Sequence, residues 1–111
     1  MNIVQLSQRF FVTGQISAEN LGEIAAQGLK SIVNNRPDDE APDQPKSDDL
    51  GRLAADLGLS YVYLPVISGC ITQKDVDEFN RVCDDLQGPI LMFCLSGVRC
   101  TMLWQMSAHC D

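Results

Sequence analysis

Residues 89–99 read PILMFCLSGVR, and this stretch holds a thiol and a guanidinium, Cys94 and Arg99, at the two ends of a short loop. An apolar run leads into the cysteine, and a helical pattern follows the arginine. A loop entering a helix presents several backbone N–H groups to one point, and the helix dipole adds positive potential. Both effects favour an anion, and both lower the pKa of a cysteine at the loop's start. Gly97 permits a tight turn and Ser96 offers a hydroxyl, so Leu95, Ser96, Gly97 and Val98 form a candidate anion-binding loop. Arg99 supplies a planar fork of donors suited to two oxygens of a phosphate or thiosulfate. The alternative is plain: Cys94 is a buried residue that happens to precede a turn.

The elements that must position this loop can be read from periodicity. Asn2 to Leu6 and Phe10 to Thr13 read as short strands. Ser17 is placed to cap a helix running to about Gln27, and Gly28 to end it. Ser31 to Val33 reads as a buried strand. Ser47 is placed to cap a second helix carrying Leu50, Leu53, Ala54 and Leu57, ended by Gly58. Tyr61 to Val66 reads as a strand. Thr72 and Asp75 resemble a capping box that opens a third helix, with Val76, Phe79, Val82, Cys83 and Leu86 on its inner stripe. Cys83 is therefore read as core. Pro89 to Phe93, apolar on both faces, suits a central strand of a covered sheet. A last helix from Arg99 carries Met102, Leu103 and Met106, with Trp104 read as core or interface. Strands alternating with helices predict a single three-layer α/β/α domain, residues 1–111, with a mostly parallel sheet. In such sheets ligands bind where strands end and helices begin, which is where Cys94 to Arg99 lies.

Asn34 to Lys46 (NNRPDDEAPDQPK) holds three prolines and no periodicity, so it is read as a long loop. Loops of that length are often functional.

The chain has 111 residues, a net charge of −7 and five cysteines with no CxxC pair. The charge argues against nucleic acid, which needs clustered cations. No apolar run suggests a membrane span, and no secretory signal is visible. Reduced thiols in a cytoplasm are the expectation. The one histidine, His109, and the cysteine spacing do not suit zinc. No metal or cofactor is expected, and the expected partner is a small anionic substrate or a phosphoprotein. Oligomeric state is not readable.

The segments FVTGQIS, IVNNRPDDEAPDQP, YVYLPV and FCLSGVR, in that order, resemble the beta-lactamase hydrolase-like protein, phosphatase-like domain family. The resemblance runs from about Leu6 to Met106, and Asn35 to Pro45 is its most distinctive part. It implies a tyrosine/dual-specificity phosphatase-like fold, with Cys94 as nucleophile and Arg99 binding the transferred group. It also implies that the long loop lies over the site. Arg36 and the acids Asp38, Asp39, Glu40 and Asp43 would then be available, with Asp38, Asp39, Asp43 and Arg36 as candidates for general acid or lid. Some members of the family occur fused to or beside persulfide-oxidising enzymes and are named sulfurtransferases.

The sequence departs from the family's pattern, or from that of the phosphatases it resembles, at four points. Phe93 replaces the histidine before the cysteine, and the loop is C-x4-R rather than C-x5-R, the length seen in rhodanese-type sulfurtransferases. Leu95 stands where the family often has arginine. Cys100 stands where a Ser or Thr usually supports the leaving thiolate; Thr101 is an imperfect substitute, and Cys100 is alternatively a resolving thiol. Residues 67–71 (Ile-Ser-Gly-Cys-Ile), where dual-specificity enzymes place their general acid, carry no carboxylate, and Cys70 there is a second candidate thiol. The reading carried forward is a phosphatase-like hydrolase that attacks a phosphomonoester through a Cys94 phosphocysteine. The alternatives are a sulfurtransferase working through a Cys94 persulfide, and a non-catalytic anion-binding or redox module.

Overall fold

The computed structural model describes residues 1–110. Its elements run β1 (Val4–Gln5), β2 (Phe10–Thr13), α1 (Asn20–Ala26), β3 (Ser31–Asn34), α2 (Ser47–Asp56), β4 (Ser60–Tyr63), α3 (Gln73–Asp85), β5 (Ile90–Phe93) and α4 (Val98–Met106). The five strands form one sheet in the order β1-β2-β5-β3-β4. β2, β5, β3 and β4 are parallel, and only the β1 edge is antiparallel. Among the described residues, no helix is long and apolar enough to cross a membrane.

β5 is the centre of the sheet, and every residue of it is buried. Its side chains alternate between faces, as a strand requires. Ile90, Met92 and then Cys94 join the core with Val76, Phe79 and Cys83 of α3 and Cys100, Leu103 and Trp104 of α4. Leu91 and Phe93 join the opposite core, with Leu21 and Ile24 of α1 and Leu50 and Ala54 of α2. The result is the expected α/β/α sandwich. Each fully buried Ile, Leu or Phe contributes about 1.5–3 kcal/mol, so the two faces of β5 anchor the layers.

Local sequence explains most element ends. Thr72 and Asp75 form a full capping box at the start of α3. At the other end of that helix, Arg9 donates to the carbonyls of Cys83 and Leu86, a cation where the helix dipole is negative. Three expectations are corrected. Ser17 opens a turn rather than capping α1: its N–H and hydroxyl both bond Asn20 Oδ1, and the helix begins at Asn20. Ser47 lies inside the first turn of α2; Lys46 is the boundary residue, and Asp38 Oδ1 takes the Ser47 N–H. β4 stops at Tyr63 because Pro65 has no N–H to give a ladder, although Leu64 and Val66 still donate to Asn34 and Asn35. Of the apolar residues in the helical patterns, Leu53, Leu57, Met102 and Met106 are exposed.

Candidate active site

The parallel register brings three chain segments to one edge of the sheet. Thr13 of β2 and Asn34 of β3 both sit beside Phe93 of β5. The residues that follow each strand, Gly14–Gln15, Asn35–Arg36 and Cys94–Val98, therefore converge. Asn35 N–H bonds Phe93 O, and Gln15 N–H bonds Leu95 O. The approach of the first loop to the third is so close that a Cβ on Gly14 would lie 2.9 Å from Leu95 O.

Alternation along β5 puts Cys94 on the α3/α4 side, where it is 1% exposed. The loop then turns through Gly97, whose φ of 92° is the left-handed region that favours glycine. That turn returns the Gly97 N–H to Cys94 Sγ at 3.1 Å and opens α4 directly afterwards. The Cys94 thiol is pushed down to about 5. The largest cause is a hydrogen bond from the Cys100 side chain, which outweighs the cost of burial, and the backbone N–H groups of Cys100, Gly97 and Ser96 add to it. Cys94 is therefore a thiolate at neutral pH. Cys100 is fully buried, and its own thiol is pushed well above the ordinary range by burial and by donating to its neighbour. Thr101, the other candidate for that supporting role, spends its hydroxyl on Gly97 O inside the helix.

Arg99 leaves α4 in its first turn and is 8% exposed. Its Nη1 donates to Glu40 Oε2 at 3.0 Å and to Val66 O at 2.9 Å, and its Nη2 donates to Glu40 Oε1 at 3.2 Å. Its Nε is buried with no hydrogen-bond partner. Arg36 reaches the same carboxylate, Nε to Glu40 Oε1 at 3.0 Å, and places Nη1 on Gln15 Oε1. Glu40 is thus shared by two buried guanidiniums, which hold its carboxyl below the usual glutamate range, Arg99 being the larger influence.

The long loop is held by its own polar groups. Asn34 Oδ1 accepts Arg36 N–H, and Tyr63 OH accepts Asp38 N–H. Gln44 takes the N–H groups of Glu40 and Ala41 and donates to Pro37 O. These bonds fix Glu40 against Arg99.

Of the acids considered for proton donation, Asp38 is occupied at the start of α2, and Asp39 and Asp43 are exposed. None of them lines the cavity of about 120 Å³ over Cys94, which is walled by Ser68, Gly69, Ile71, Leu95, Ser96, Val98, Arg99 and Met102. Cys70 is exposed and lies outside that wall, although its neighbours Gly69 and Ile71 belong to it. Arg36 is at the site through Glu40. Sequence reasoning left Glu40 off its shortlist of acids and missed Gln15 altogether. The signal for Gln15 was available: it follows a parallel strand at the same sheet edge as Cys94. Among the described residues, no group of His, Cys, Asp and Glu is arranged to hold a metal.

A parallel sheet with a cysteine–arginine loop at its carboxyl edge is the architecture of the tyrosine-phosphatase fold. The P. aeruginosa protein TpbA, solved as its C132S variant with pTyr, superposes on 95% of this chain and 62% of its own with a TM-score of 0.70 at 15% identity, a likeness of fold alone. A structure from Neisseria meningitidis, described as that of a candidate phosphatase, matches with a TM-score of 0.87 at 30% identity, over 94% of this chain and 74% of its own. Residues 2–110 match the family described as Beta-lactamase hydrolase-like protein, phosphatase-like domain, and the chain belongs to it. The Beta-lactamase hydrolase-like protein of Xylella fastidiosa is 37% identical over all 111 residues, and the chain spans 26% of that relative's length.

Proposed function

We propose that the chain is a cysteine-based, phosphatase-like hydrolase in which the Cys94 thiolate attacks a phosphomonoester. The observation that carries this reading is the thiolate itself, held by N–H groups of its loop and lining the same cavity as Arg99, whose Nε is unpaired. An anion seated over Sγ would take Arg99 Nε and the loop N–H groups as donors. Attack on phosphorus would form the S–P bond as the ester oxygen leaves. Water would then cleave the phosphocysteine and release phosphate, with the Cys100 thiol stabilising the returning thiolate.

The leaving oxygen needs a proton unless its own pKa is low. Glu40 is held ionised by its two arginines, and the described residues put no carboxyl in the wall of the cavity. The reading therefore restricts the substrate to esters or anhydrides with good leaving groups. The test is a series of phosphate monoesters of falling leaving-group pKa. A steep rise in kcat/KM along the series, no turnover of simple alkyl phosphates, and loss of all activity in Cys94→Ser are expected. Equal rates across the series would mean that a proton donor is present and that this part of the reading is wrong.

The same absence favours a second reading, transfer of sulfane sulfur. Thiosulfate loses sulfite without protonation, and the short loop offers fewer donors than a phosphoryl group takes. In that case Cys94 would hold a persulfide and pass its outer sulfur to a thiol acceptor. Thiosulfate-dependent addition of one sulfur atom at Cys94, without phosphatase turnover, would replace the first reading by the second.

A further inference from the structure

The cavity over Cys94 has an unusual mouth. Cys94 is 1% exposed, while three residues at the rim, Leu95, Val98 and Met102, are 58%, 61% and 48% exposed. Exposed apolar side chains are ordinary when scattered, but these three are contiguous. They separate the cavity from a second, larger groove of about 660 Å³, which also touches Val4 and Leu6. Among the described residues, no Asp, Glu, Lys or Arg side chain lines that groove, and the charged side chains lining the cavity are the Arg99 guanidinium and the Cys94 thiolate.

The charge at the site is balanced. Arg36 and Arg99 contribute two positive charges, and Glu40 and the Cys94 thiolate remove two. Once one anionic group is seated, no surplus cation is left for a second. The exposed part of the rim is Leu95, Val98 and Met102 together with Ser68, Gly69 and Ser96, so the apolar stretch of it is the first three.

We infer that Leu95, Val98 and Met102 form a subsite for the uncharged, apolar frame of the substrate, so that the site selects a single anionic group on an aryl or alkyl body and rejects polyanions. The inference rests on the reading of the Cys94 cavity as the reacting site. Burial of apolar area against the rim supplies the preference. A second carboxylate or phosphate on the frame would be stripped of water against these side chains with no partner.

The test uses unreactive anions and needs no turnover. Methylphosphonate, benzylphosphonate and 2-carboxyethylphosphonate, with methanesulfonate and benzenesulfonate beside them, are titrated as protectants of Cys94 against iodoacetamide. Modification is read at the Cys94 peptide by mass spectrometry. The aryl member of each pair should protect at a roughly tenfold lower concentration than the methyl member. The carboxylate-bearing anion should protect more weakly than methylphosphonate. Met102→Glu and Met102→Lys should both bring the aryl-to-methyl ratio towards one, since both remove apolar contact whatever their charge. Protection that is equal for aryl and methyl anions, or an aryl preference that survives both Met102 variants, overturns the subsite while leaving an anion site at Cys94. Failure of every anion to protect Cys94 overturns the anion-site reading and the subsite with it.

Discussion

Removing the Cys100 thiol should raise the pKa of Cys94, because that thiol is the largest influence holding it down. A hydrogen bond to a charged group is worth roughly 1.5–3 kcal/mol, and a thiol is a weak donor, so the lower half of that range applies. At 1.36 kcal/mol per unit, this is an upward shift of about 1–1.5 units. The wild-type inflection is expected at about 5. In Cys100→Ala it should move to roughly 6–6.5. Cys100→Ser keeps a donor at the same position and should stay near the wild type. The assay is the rate of Cys94 alkylation by iodoacetamide from acid to neutral pH, read at the Cys94 peptide. At a pH between the two inflections the alanine variant should react several-fold to about tenfold more slowly, and the two should converge above neutrality. The rate at neutral pH alone is a poor readout, since a thiolate of low pKa is also a weaker nucleophile. The small void left in the core should cost about 1 kcal/mol, which leaves the fold intact. An unchanged inflection in Cys100→Ala would refute the claim that Cys100 supports the thiolate.

Glu40→Gln leaves two buried guanidiniums without their shared anion and should destabilise the fold by roughly 2–4 kcal/mol in urea unfolding. Glu40 is held below its ordinary range, so the folded state binds fewer protons there than the unfolded chain; its stabilisation is present above the ordinary glutamate pKa and is lost as pH falls through the lowered value. Acid unfolding of the wild type should accordingly be steeper below that range than that of Glu40→Gln. Gly14→Ala places a methyl 2.9 Å from Leu95 O and should cost about 1–3 kcal/mol while disturbing Cys94 alkylation; differential scanning calorimetry and the alkylation profile check both. Hydrogen peroxide should convert the Cys94 thiolate to a sulfenic acid, which the adjacent Cys100 thiol then closes to a disulfide with loss of water. Peptide mapping should find that link in the wild type and over-oxidised Cys94 in Cys100→Ala; equal over-oxidation in both would argue against it.

How much of this was legible in the sequence depends on whether the signal is local. The buried run of β5, the capping box at Thr72 and the loop from Cys94 to Arg99 are all encoded within a few neighbouring residues, and each is found where it was expected. Leu53, Leu57, Met102 and Met106 are exposed although the apolar pattern includes them, because periodicity gives a helix its apolar side but not how far the sheet beneath it extends. The meeting of Glu40 with Arg99 spans 59 positions in the chain. It depends on β3 and β5 being neighbours and on how Gln44 folds the loop back, and neither is a property of any short segment. Ser47 misled because it is a good capping residue, whereas Asp38, nine positions earlier, meets the helix N–H instead.

The central claim is that Cys94 carries the transferred group covalently. The most direct test is mass spectrometry of the chain, trapped during incubation with p-nitrophenyl phosphate and, separately, with thiosulfate, on wild type and Cys94→Ser. The account predicts a phosphoryl group or a single added sulfur, mapped to Cys94 and absent from the serine variant. Undiminished turnover of either compound by Cys94→Ser, or an adduct mapped to another cysteine, would contradict it.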